Sequence, residues 1–405
     1  MGEKDCMLDA KITDVKTFQV KGYLTVEENT VFWEERLVRP LDIYPIYQKE
    51  GPQKTVQISP TQIEVDTRWL EIETDIGVTG VMRPISPVVA FICCNLLKPL
   101  LIGQDPFAIE KVWDQLYRSQ VHGRKGQTMF AISAVDCALW DLVGKIREEP
   151  VYRLLGGPMK PRIRAYASCL GWSLKPEHIV TRAQSYVEQG YTAMKWFFRY
   201  GPAAGIIGEK ENLRLVKTLR DAVGADIDIM LDCWQSWNVN YAIKMARKLE
   251  RYEPAWMEEP VMGDKIDEMA EITRNVNIPI SGAEHEYTRW GFMQIINKRA
   301  LDILQPDIAW AGGLSETRKI CTLASTAGLP VIPHSGNAPL SQHIWFSQNA
   351  ETVPLAEFLV KWNPWTQALD QEILEPVNGY IFPSTKPGLG IELDETKVIE
   401  KVYDE

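Results

Sequence analysis

Five polar residues stand at or near the ends of short apolar runs: Asp232 in DIMLDC, Glu258 in AWMEEP, Glu284 in IPISGAE, Asp307 in DILQPD and His334 in PVIPHS. The intervals from Asp232 to Glu258 and from Glu258 to Glu284 are equal. Each run has the length and punctuation of a buried strand. If such strands lie side by side and parallel, their C-terminal ends open on one face and these side chains converge there. Three converging carboxylates repel one another unless a cation lies between them. Donors that are all oxygen select a hard divalent ion, here Mg2+, with positions left for water or substrate. No His or Cys pair has the spacing of a zinc site.

In AWMEEPV the adjacent Glu258 and Glu259 end an apolar run, and because a buried carboxylate without a partner is costly or takes up a proton, the chain should expose one of them or give it a cation. Glu258, at the strand end, is assigned to the metal, and Glu259 to a neighbouring loop or helix terminus. Salt bridges or helix caps would explain any one of these carboxylates, but not the set in register. Asp307 and His334 end consecutive runs. A carboxylate beside an imidazole fixes its tautomer and raises its basicity, as a general base requires. His122 and His178 have no such partner in the pattern and read as surface or packing residues.

The elements that must position these groups fall into two textures. Residues 12–22 and 62–82 read as strands, the second alternating through QIEVDTRWLEIETDIGVTGV with a tight turn at DIG. From 85 to 155 the spacing is helical and closes on Gly156-Gly157. This predicts an α+β unit over residues 1–158. Beyond it, eight apolar runs (163–168, 193–198, 228–233, 255–260, 278–284, 302–307, 330–335 and 354–359) alternate with amphipathic stretches such as NYAIKMARKLERYE. That alternation predicts an α/β barrel over 159–372 rather than an open doubly wound sheet. No GxGxxG or GxxxxGK[ST] follows the first run. The tail, 373–405, lacks this texture and is expected to fold back on the first unit.

Composition excludes several classes. The 405 residues are 45% hydrophobic and 24% charged, with a formal net charge of −10. This is ordinary globular composition, and its acidity speaks against a nucleic-acid or anionic-membrane surface. No apolar run of about 18 residues is present, and the opening MGEKDCMLDAK is too polar for a secretory signal. The seven cysteines (Cys6, Cys93, Cys94, Cys137, Cys169, Cys233, Cys321) form no CxxC, which suits a reducing, cytoplasmic setting.

The motifs MLDCW, WMEEP, GAEHE, LQPDIAWAGG, VIPHS and PLAEFL occur in the order and spacing of a known family. The chain resembles the mandelate racemase subgroup of the enolase superfamily, and within it the L-rhamnonate dehydratases and related acid-sugar dehydratases. The resemblance spans nearly the whole chain. It implies a (β/α)7β barrel under a capping domain, a small sugar-acid substrate and a homo-oligomer. It also implies Mg2+ on Asp232, Glu258 and Glu284, and a His334–Asp307 dyad as base. Glu357 of PLAEFL matches the acid that hydrogen-bonds the enediolate. Lys195 would assist from strand two, and His285 matches a substrate-contacting histidine. The implied reaction removes the C2 proton and eliminates the 3-OH, giving a 2-keto-3-deoxy acid.

Two departures carry information. Racemases of the subgroup have KxK on strand two, whereas AMKWFF has Lys195 followed by Phe197 where the second lysine would stand. A two-base racemisation is thereby disfavoured. In the capping loop, roughly 24–60, Phe32 precedes Trp33 where L-rhamnonate dehydratases carry a histidine. Their specificity arginine has no clear match in YPIYQKEGPQK, in which Lys49 or Lys54 could substitute. Trp33, Tyr44 and Tyr47 are candidate lining residues of that loop. A barrel metal hydrolase would require HxH on the first strand, and IRAYAS has none. An inactive relative retained as a binding protein would be expected to lack a ligand or the base, and none is missing.

Overall fold

The structure, a computed structural model, describes residues 10–28 and 30–404, so Cys6 lies outside the described residues. The alternating N-terminal runs form an antiparallel sheet. β1 (Ile12–Thr25) and β3 (Gln62–Thr74) pair along most of their length, with β2 (Gln57–Ser59) and β4 (Thr79–Met82) at opposite ends of β3. The DIG turn closes on Gly77 with a φ of 77°, a conformation only glycine adopts without strain. Helix Gln127–Arg147 buries polar as well as apolar residues because it lies between this sheet and the barrel. Gly80 of β4 packs so closely on Ala138 of that helix that a β-carbon would strike its carbonyl. On the other side Ser133 Oγ and Asp136 Oδ2 accept from Gly312 N and Ser315 N of the barrel at 2.9 and 3.0 Å.

The barrel strands are β5 (Ile163–Ser168), β6 (Ala193–Phe197), β7 (Asp228–Asp232), β8 (Trp256–Glu258), β9 (Ile280–Gly282), β10 (Ile303–Leu304) and β11 (Ala356–Leu359). All neighbours are parallel, and β11 pairs with β5 so that the sheet curls back on itself. The seventh expected strand, 330–335, is not one. It makes isolated bridges, Val331 to Leu304 and His334 to Asp307, because Pro330 and Pro333 lack the N–H a ladder requires. Nor do Glu284 and Asp307 end strands. β9 stops at Gly282, the chain turns through Ala283 with a φ of 77°, and Asp307 caps the turn Ile308–Ala311 by accepting from Ala309 N at 2.7 Å.

The barrel interior is layered by strand alternation. Tyr166, Ala193, Met230, Trp256, Ile332 and Leu355 form an apolar plug. Two residues further along the same segments stand Ser168, Lys195, Asp232, Glu258, His334 and Glu357. The C-terminal stretch pairs first with β5 through Tyr380–Ile381, then with β1 through Glu400–Tyr403, tying barrel to cap. Among the described residues no helix is long and apolar enough to cross a membrane.

Candidate active site

Four strands deliver a buried charge cluster. Lys195 on β6 places Nζ 2.5 Å from Glu258 Oε1, 2.9 Å from Glu357 Oε1 and 3.7 Å from Asp232 Oδ2. The parallel register makes this possible, since Asp232 stands opposite Glu258 and β6 adjoins β7. Glu258 is otherwise held by Trp256 Nε1 at 3.0 Å and Gln305 Nε2 at 2.8 Å, both on Oε2. Glu357 Oε2 accepts from Ser335 N at 3.0 Å, and Glu284 Oε1 from Trp234 Nε1 at 3.2 Å. The chain leaves these strands through left-handed residues that are not glycine: Trp234, Gln235, Glu259 and Ala283. Such backbone strain is concentrated at functional sites.

His334 places Nδ1 2.7 Å from Asp307 Oδ2 and Nε2 3.5 Å from Glu284 Oε2. An ionised carboxylate only accepts, so Nδ1 carries a proton and Nε2 is the nitrogen left for chemistry. Its ring packs on Trp310 at 5.3 Å between centroids.

Charge governs the titrations. Burial pushes Asp232 well above the carboxylate range, reinforced by Glu258 and opposed by Lys195. Burial likewise raises Glu284, against the pull of His334. Burial would lower His334 and Lys195, but Glu284 and Asp307 hold the first well above its ordinary value, and Glu258 and Glu357 the second. Burial would raise Glu357, yet Lys195 and His334 hold it down at about 2. The carboxylates thus carry more negative charge than Lys195 and His334 comfortably compensate, and their donor atoms are oxygen. This set fits a hard divalent cation.

The adjacent glutamates divide at the strand end: Glu258 closes β8, and Glu259 follows it with a left-handed φ of 41°. Glu258 faces Lys195, and Glu259 faces the loop residue His285, whose Nδ1 is 3.0 Å from Glu259 Oε2. Gln235 Nε2 approaches the same nitrogen at 2.7 Å. His285 is raised to about 9, its burial outweighed by Glu259 and Glu284. Asp232, Glu258 and Glu284 are not the cluster whose donor atoms converge: Glu259, Glu284 and His285 have donor atoms within 4.8 Å of one another. Glu258 and Asp232 are instead gathered on Lys195, whose ammonium sits on the first and beside the second.

A cavity of about 310 Å3 opens above the cluster, bordered by Ser168, Lys195, Asp232, Glu284, His334 and the apolar residues around them. Several expected contacts do not border it. Trp33 is buried against Gly171, whose β-carbon it would exclude, and lies 6.1 Å from Trp362. Lys49 borders a separate surface cavity with Asp42, Gln48 and Arg199. His285 turns to Glu259 and stacks on Trp310 at 5.5 Å. Tyr44 is exposed and packs edge-on against Tyr47.

Leu37 is the capping-loop residue that does line the cavity. It is placed by contacts with no spacing signal in the sequence. Arg36 is buried on Asp42 at 2.7 Å, and Arg199 from the β6 loop donates to Gln48 O at 2.8 Å. Lys361 donates to Phe32 O and, at 3.0 Å, to Gly171 O, and burial pushes its ammonium down to about 7.

Comparison with known proteins agrees with this geometry. Residues 178–397 match the enolase C-terminal domain-like family, and residues 48–156 match the mandelate racemase/muconate lactonizing enzyme N-terminal domain. The chain is 31% identical to an L-rhamnonate dehydratase of Saccharopolyspora erythraea over 383 residues, 92% of this chain and 93% of that protein. It superposes on rhamnonate dehydratase from Gibberella zeae complexed with Mg with a TM-score of 0.81 and 29% identity, covering 96% of each chain. A racemase from Streptomyces coelicolor A3(2) with bound magnesium is similar at a TM-score of 0.77 and 25% identity, covering 96% of this chain and 100% of that one.

Proposed function

The chain belongs to the mandelate racemase/muconate lactonizing enzyme family of the enolase superfamily, and on that premise we propose that it is a Mg2+-dependent hydro-lyase converting a sugar acid to a 2-keto-3-deoxy acid. The observation that carries the reading is an asymmetry across the cavity. His334, held by Asp307, faces it from one side, and Phe197 stands on β6 where a second base would be needed.

Asp232, Glu258 and Glu284 would hold Mg2+, whose charge offsets their repulsion and the second negative charge that develops on the substrate carboxylate when its α-proton leaves. His334, relieved of the Glu284 charge, is neutral at Nε2 and takes the C2 proton. Asp307 keeps the imidazole in that tautomer and stabilises the imidazolium it becomes. Lys195 lies beside the carboxylate position and stabilises the enediolate by charge, and Glu357, ionised beside Lys195 and His334 in this structure, would hydrogen-bond it only after taking up a proton. The electron pair left by the C2 proton forms the C2–C3 double bond as the 3-OH departs with a proton, returned by the same imidazolium. The resulting enol tautomerises to the ketone. The apolar wall excludes water and strengthens these interactions.

The test is to screen sugar mono- and diacids with Mg2+ for 2-keto-acid formation. Inversion at a carbon without any keto acid would replace this reading with an epimerase, the reaction class of its racemase relatives.

A further inference from the structure

The segment that carries His334 is held by backbone on one side only. Val331 and His334 bridge to Leu304 and Asp307. Among the described residues no backbone hydrogen bond joins 332–336 to β11, on the other side. Side chains take the place of that ladder. Glu357 Oε2 accepts from Ser335 N at 3.0 Å. Asn363, wholly buried in the helical turn after β11, donates from Nδ2 to Ser335 O and accepts at Oδ1 from Ala338 N, both at 3.0 Å. Asn337 donates from Nδ2 to Arg83 O at 2.6 Å, and its Oδ1 caps the helix Ala338–Ser347 at Leu340 N. Arg83 follows β4 of the cap and is itself buried on Asp370, with Nε 3.0 Å from Oδ1. The loop leaving His334 is thus tied to the barrel by Asn363 and to the cap by Asn337.

We propose that Asn337 and Asn363 are positioning residues of the base, seating His334 on Asp307 through the loop that follows it. Neither borders the cavity, so neither meets the substrate there. The bridge to Asp307 fixes His334 only toward β10, and without the two asparagines the residue is free to pivot about that bridge. Proton transfer tolerates little of this, since a displacement on the order of 1 Å costs roughly 10²-fold. The carboxylates proposed to hold the ion lie elsewhere, on and just after β7, β8 and β9. Loosening the loop therefore acts on proton removal and spares binding of the ion and of the substrate. The role of His334 as base rests on the dehydratase reading, whereas the seating of its ring is measured without it.

Two variants of the full chain separate positioning from folding. Asn337→Ser keeps an oxygen able to cap the helix, but its side chain is too short to reach Arg83 O. Asn363→Leu is of similar volume and lacks both bonds to the loop. Turnover is counted per Mg2+ site found by calorimetry, which discounts any misfolded fraction. In each variant kcat is expected at least tenfold below the native value, with KM and Mg2+ affinity within threefold of it. Proton NMR supplies a readout that needs no substrate. The far-downfield Nδ1–H signal of the short His334–Asp307 bond, identified by its absence from His334→Asn, should move upfield or vanish in both variants. A smaller loss of kcat, a loss carried by KM, an unmoved signal, or no such signal in the native protein overturns the proposal. Should Asn363→Leu not fold, Asn337→Ser decides alone. Failure of every sugar acid to give a keto acid, with the signal displaced as stated, overturns the dehydratase reading and leaves this one standing.

Discussion

His334 Nδ1 lies 2.7 Å from Asp307 Oδ2, although the segments that carry them share no ladder at that point, only an isolated bridge. The bridge puts the two residues opposite each other just where the strand pattern gives out. If this pair is the base, His334→Asn should eliminate keto-acid formation and also C2-proton exchange into D2O, followed by proton NMR. Asp307→Asn should leave a trace, on the order of 10^4-fold below the native rate, because the imidazole remains without its orienting charge. Persistent exchange in the His334 variant would transfer the base role to Lys195.

Phe197 gives the stereochemical counterpart. It is buried on β6 and cannot accept a proton. Substrate recovered after partial turnover in D2O should keep its C2 configuration, while the product carries solvent deuterium at C3. Chiral chromatography of the recovered acid decides this, and any accumulation of the C2 epimer counts against a single base.

Two alternative carboxylate sets compete for the ion. Asp232 and Glu258 are paired across β7 and β8, with Glu284 just past β9, whereas Glu259, Glu284 and His285 have donor atoms within 4.8 Å of one another. Asp232→Asn and Glu258→Gln should each abolish Mg2+ binding by calorimetry, since each removes a ligand charge from the cluster around Lys195. Glu259→Gln should bind Mg2+ within about tenfold of the native protein and chiefly disturb His285, whose raised pKa depends on Glu259. The opposite ranking would move the metal to the Glu259 side.

Much of this site was legible because strand alternation ties chemistry to position. Asp232 and Glu258 end their strands and could be placed from their runs alone, whereas Lys195 and Glu357 were assigned only by the family resemblance. Glu284 and Asp307 were found by the same spacing although each lies beyond its strand, since the turns that carry them are short. The strand expected at 330–335 failed on its two prolines. The capping loop resisted for a different reason. It has no period, and its course is set by Arg36 on Asp42, Arg199 on Gln48 and Lys361 on Phe32, contacts between residues whose spacing follows no rule. Hence Trp33 and Lys49, reasonable by position, are turned away from the cavity, and Leu37 takes the place expected of them.

Lys361 makes that loop sensitive to pH. Its ammonium is buried between Phe32 O, Gly171 O and the face of Trp172, and burial holds its pKa at about 7, against an ordinary value of 10.5. Between those two values the unfolded chain binds a proton at this side chain that the folded chain does not, so stability from this group must rise with pH. Below pH 7 both states are protonated, and the contribution is constant at its least favourable level. Comparing the native protein with Lys361→Met isolates the group, because the other titrations are shared. The difference in unfolding free energy should be flat up to about pH 7. It should then shift in favour of the native protein by roughly 1.4 kcal/mol per pH unit toward pH 10. Denaturant melts at pH 6, 7, 8 and 9 would show it, and a difference independent of pH across that range would mean that Lys361 stays fully charged under the capping loop.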